Sequence, residues 1–104
     1  MTANREAVEG LQWQGVDETI VYSVTTTNWA SSPTSPVVVV KDTSADDADV
    51  TATVMPTGSA SVSGDDITLP PLTALTASHR YRVEVQFASG SSVFEMYFYV
   101  QAEE

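Results

Sequence analysis

Residues 81–102 read as one β-hairpin, and that hairpin limits what the rest of the chain can fold into. In its first arm Tyr81, Val83, Val85 and Phe87 alternate with Arg82, Glu84 and Gln86, the period-two signature of a strand with one buried face. In its second arm Phe94, Met96, Phe98, Val100 and Ala102 share one face, and Val93, Glu95, Tyr97, Tyr99 and Gln101 share the other. The first set is apolar throughout and the second is amphipathic. Between the arms, residues 88–92 are small or polar and include Gly90, a hairpin-length connection.

Upstream, the apolar spacing stays at two and no stretch sustains a helical period. Leu11, Trp13 and Val16 suggest a short first strand interrupted by Gly15, and Thr19–Thr27 a β-branched one. Residues 28–36 form a loop carrying Trp29 and two prolines. Val37 to Asp42 then opens with four consecutive valines, which suits a central strand. An acidic loop follows at 43–49. Residues 50–54 are expected as a short strand, 59–63 as an edge strand of small side chains, and 67–69 as another short one. Leu72 and Leu75 punctuate the connection into the hairpin. Residues 1–10 are polar and charged and end at Gly10, which reads as an arm ahead of a single domain at 11–104. Seven or eight short strands separated by frequent turn signals make an all-β, antiparallel sandwich.

A chain of 104 residues supports one core. Fourteen acidic residues face only Arg5, Lys41, Arg80 and Arg82, for a formal charge of −10. A field of that sign repels phosphate backbones and anionic membrane surfaces, so neither nucleic acid nor membrane is an expected partner. Cysteine is absent, which removes disulfides, thiolate metal sites and thiol catalysis. No apolar run reaches the roughly 20 residues of a membrane span. Residues 1–9 lack the apolar core of a secretion signal.

Four features carry possible chemistry. Asp42, Asp46, Asp47 and Asp49 could offer carboxylate oxygens to calcium, but no glycine sits among them and no glutamate closes the set. A solvated acidic loop is the expectation, with no cofactor. Paired carboxylates such as Glu84 and Glu95 could in principle serve a glycosidase, yet nothing near them implies desolvation. His79 is the only histidine; its neighbour Ser78 points to the opposite side of an extended backbone, so the pair is no nucleophile and base. No enzyme is expected. Trp13, Trp29, Val93, Tyr97 and Tyr99 are the candidates for a binding surface, because exposed aromatics on a sandwich anchor protein partners or stack on sugars.

The segment Leu75-Thr-Ala-Ser-His-Arg-Tyr81, opening a long alternating strand, resembles the tyrosine corner of immunoglobulin-like and fibronectin type III domains, with Leu75 and Tyr81 as its elements. More widely, residues 17–103 resemble small immunoglobulin-like virion proteins of tailed phages. The likeness is carried by Trp29-x-x-x-Pro33, by Val37-Val-Val-Val-Lys-Asp42 and by Gly58-Ser-x-Ser-Val-Ser-Gly64-Asp-x-Ile67. The run from Leu75 to Phe87 and the final Glu95-x-Tyr-Phe-x-Val-x-Ala-Glu103 complete it. The resemblance implies an immunoglobulin-like fold and a virion part made in the host cytoplasm. That part would be a capsid-bound decoration (cement) protein or a neck or tail component. Its partners would be major capsid, neck or tail proteins, with several copies or a homo-oligomer on the particle. The competing expectation is a carbohydrate-binding or adhesin-type module.

Overall fold

The computed structural model describes residues 2–26 and 32–103, with 2–10 described by backbone pairing alone. Two β-sheets pack face to face. The strands are β1 (Thr2–Gly15), β2 (Ser23–Thr25), β3 (Thr34–Asp42), β4 (Ala48–Asp49), β5 (Ser61–Ser63), β6 (Asp66–Thr68), β7 (Arg80–Ser89) and β8 (Ser92–Glu103). One sheet has the order β1-β8-β7-β3-β4 and the other β2-β6-β5.

The hairpin is β7 and β8, antiparallel from Arg80 opposite Gln101 to Ser89 opposite Ser92. Tyr81, Val83, Val85 and Phe87, with Met96, Phe98, Val100 and Ala102, are each at most 3 % exposed. They form one core with Val24, Val40, Ile67, Leu69 and Leu72. The turn is tighter than residues 88–92, because Ala88, Ser89 and Ser92 join the ladder. Gly90 takes a φ of +61°, a left-handed conformation that costs glycine no Cβ clash. β3 runs between β7 and β4, and its register with β7 shifts between Thr34 and Val37. Pro36 lies within that shift and offers no N–H to a ladder.

Three expectations are corrected. Residues 50–54 are not a strand: Thr51–Val54 is a single helical turn, α1. The Asp49 carboxylate accepts from both the amide and the hydroxyl of Thr51, at 3.1 and 2.7 Å. The Thr51 hydroxyl oxygen in turn accepts from the Val40 amide at 2.8 Å. These bonds to side chains override the β propensity of Val50, Thr51 and Thr53. The strand expected over 19–27 contracts to β2, with Ile20 held to Leu72 by an isolated bridge. Residues 1–10, expected as an arm, instead contribute Thr2–Gly10 to β1. Thr2–Glu6 pair in parallel with residues 93–97, and after a register break Leu11–Gly15 pair with 99–103. Ladder bonds to a neighbouring strand require no apolar side chain, which is why a polar segment can occupy a sheet edge.

Tyr81 is 2 % exposed, and its hydroxyl oxygen accepts a 2.8 Å hydrogen bond from the Thr76 amide, five residues upstream. Leu75, next to Thr76 in sequence, is 5 % exposed. The buried phenol thus ties the start of β7 to the connection that precedes it. Tyr81→Phe leaves the Thr76 amide without that acceptor and is expected to cost about 1–2 kcal/mol, read as a lower urea midpoint with unchanged slope.

Candidate functional site

Residues directly opposite one another in a sheet share a face, so the register lays out the outer surface of the five-stranded sheet row by row. One row crosses all five strands: Leu11, Tyr99, Arg82, Lys41 and Asp49. On one side of it lies Trp13, Gln101 and Arg80, and on the other Tyr97, Glu84 and Val39. Beyond those come Glu95, Gln86 and Val37.

Large apolar side chains stand in solvent here. Trp13 is 59 % exposed, Val37 54 % and Leu11 36 %, while Val39, Val93, Tyr97 and Tyr99 are half-buried. The inner face of β1 is the reverse of an ordinary amphipathic strand. Gln14 is fully buried, its amide nitrogen donating to the carbonyls of Leu72 and Glu18 at 2.8 and 3.1 Å, and its oxygen accepting from the Tyr22 hydroxyl at 2.9 Å. Satisfying a glutamine on the inside leaves Leu11 and Trp13 outside.

The charged groups of this face are braced. Arg82 Nε donates to Glu84 Oε2 at 2.7 Å, and the guanidinium lies 5.9 Å from the centre of the Tyr97 ring. Burial works against its charge, but the Glu84 carboxylate and the Tyr99 hydroxyl prevail, and its pKa lies above the usual arginine value. Arg80 Nε donates to Gln101 Oε1 at 3.2 Å. Asp49 is held below the ordinary carboxylate range by its bonds from Thr51, with Lys41 adding a smaller attraction. The rings of Tyr97 and Tyr99 meet edge to face, 5.7 Å apart at 82°.

The other sequence candidates separate. Tyr97, Tyr99 and Trp13 come together on this face and Val93 lies on it toward the hairpin turn, opposite Ala88; Trp29 lies outside the described residues. Asp42 is 5 % exposed and turned inward: its Oδ2 lies 2.7 Å from His79 Nδ1, and its Oδ1 accepts from the Ser44 amide at 3.0 Å. Asp46, Asp47 and Asp49 remain in solvent. Among the described residues, no three acidic or histidine side chains converge as a metal site. Through Asp42, His79 ties the start of β7 to the end of β3. Leu11, Val37, Val39, Lys41 and Arg82 were not among the sequence candidates. Their membership depends on cross-strand register, which local alternation does not reveal.

The outer surface of the three-stranded sheet is different in kind. Ser23, Thr25, Ser61, Ser63 and Asp66 are exposed there, and it carries no aromatic residue among those described. Among the described residues, no helix is long and apolar enough to cross a membrane. No protein-family model matches the chain, and no curated protein does.

Proposed function

We propose that this chain is a non-enzymatic structural protein that works by docking to other proteins through the outer face of its five-stranded sheet. The observation that carries this reading is the exposure of Trp13, Val37 and Leu11 on one face that also holds Tyr97, Tyr99 and Arg82. Aromatic and arginine side chains on a common apolar surface are the residue types that dominate binding energy at protein interfaces. An immunoglobulin-like reading is supported by the strand orders of the two sheets and by the Tyr81 contact. With it the sequence resemblance favours a virion component, as a capsid decoration protein or a neck or tail part. The carbohydrate-binding alternative fits the face less well. Two tyrosine rings at 82° to one another cannot both lie flat against a sugar ring.

The test uses phage particles lacking this protein, incubated with the purified chain. Wild-type protein is expected to bind in defined stoichiometry, and Trp13→Ala to weaken binding about tenfold or more. Particles that never take up the protein would reject the virion role. Uptake unaffected by Trp13→Ala would reject the face.

A further inference from the structure

We infer that the first occupant of this face is a second copy of the chain, and that the working unit is a two-fold dimer packed through its five-stranded sheets. The inference rests on the docking reading above and names its partner.

The argument is electrostatic as well as apolar. Lys41, Arg80 and Arg82, three of the chain's four basic residues, stand on this face with Asp49, Glu84, Glu95 and Glu103. The remaining acidic residues have only Arg5 against them. Contact between two copies through surface without these bases sets acid against acid. The sheet face, where three of the chain's four bases are gathered, is where two molecules of charge −10 can meet with least repulsion. It also holds Leu11, Trp13 and Val37, three of the five large apolar side chains exposed among the described residues, whose desolvation favours contact.

The order of residues across the face suits self-pairing. One side is apolar and aromatic, with Leu11, Trp13 and Tyr99; the other holds Lys41 and, at its edge, Asp49, and Arg82 lies on the central strand with its Glu84 partner. A two-fold axis in the interface, running along the strands, turns this order end for end. It lays Tyr99 of each copy over Lys41 of the other, twice per dimer, as an isologous interface requires. Lys41 over that phenol ring is then a cation–π contact made in trans, like the one Arg82 already makes with Tyr97 in cis.

Sedimentation equilibrium of the purified chain tests this. A reversible dimer is expected, and it should tighten as salt is raised to about 0.5 M, because screening relieves the repulsion between acidic copies faster than it weakens close contacts. Trp13→Ala and Val37→Ser should each raise the dimer dissociation constant about tenfold or more. Both side chains are exposed in the single copy, so circular dichroism and melting of the monomer should stay as in wild type. Lys41→Glu should weaken the dimer too. A chain that stays monomeric at high concentration and high salt overturns the inference, as does a dimer indifferent to Trp13 and Val37. If the chain is monomeric but Trp13→Ala still abolishes particle binding, the docking face stands and the second copy does not. A dimer that no particle binds supports the inference and removes the virion role.

Discussion

Phe98→Ala is expected to lower the unfolding free energy by about 3–5 kcal/mol. Phe98 is 3 % exposed at the middle of β8, opposite Val83 on β7, and its ring sits 5.4 Å from that of Tyr22 across the gap between the sheets. It also contributes to a groove of about 230 Å³ lined by Gln12, Val21, Tyr22, Ser23 and Val24. Truncation joins the new void to that groove, so water can refill part of it. The loss should therefore fall toward the lower end of the range, where the transfer term dominates and the empty-cavity term is small. Urea unfolding reads the change directly. A loss below about 1 kcal/mol would mean that this side chain is not a bridge between the sheets.

Gln14→Leu is expected to cost about 2–4 kcal/mol, although it replaces a polar side chain in the interior by an apolar one of similar length. The substitution strips three partners at once. The Tyr22 hydroxyl loses its acceptor, and the carbonyls of Leu72 and Glu18 lose a donor. Leu72 keeps its bond from the Ile20 amide, which holds the cost below the full penalty for three unpaired groups. Tyr22 gives the same network a pH signature. Burial first, and the charge of Glu18 second, push its phenol above the usual value of 10.0. The folded chain thus holds that proton more tightly than the unfolded chain does. The associated stability is complete below about pH 10 and is lost as pH rises through the folded-state pKa. Melting curves at rising alkaline pH should fall more steeply for wild type than for Tyr22→Phe. Parallel slopes would count against a perturbed phenol.

The final hairpin was legible in the sequence down to the inward or outward sense of its core positions, because alternation needs no knowledge of neighbours. Tyr81 was legible for a related reason: its partner, Thr76, is five residues away in the chain. The same local logic failed at residues 50–54, where Asp49 and Thr51 divert the backbone into a helical turn that β-branched residues alone do not suggest. It failed differently at β1. Leu11 and Trp13 marked a strand without showing which of its faces turns inward, and Gln14 occupies the interior because the Leu72 carbonyl and the Tyr22 hydroxyl await it there. Both partners lie outside the strand itself, and one is 58 residues distant. The exposed apolar face of the five-stranded sheet was half visible for the same reason. Tyr97 and Tyr99 declare themselves by alternation, whereas Val37, Lys41 and Arg82 join them only once β3 is known to lie beside β7 in one particular register.

The parallel pairing of β1 with β8 also determines how the molecule responds to tension. Thr2 sits opposite Val93 at one end of this pair, and Gly15 sits opposite Glu103 at the other. A pull between Thr2 and Glu103 therefore drags the two strands past one another lengthwise. The evenly spaced rungs of a parallel ladder then share the load together, whereas in a hairpin pulled from its open end they break one after another. Rupture under force follows the unfolding rate, so the β1–β8 pair acts as a shear clamp between those two positions. The register break after Glu6 divides that clamp into two blocks of five paired residues, and the block from Leu11 to Gly15 can hold after the first has slipped.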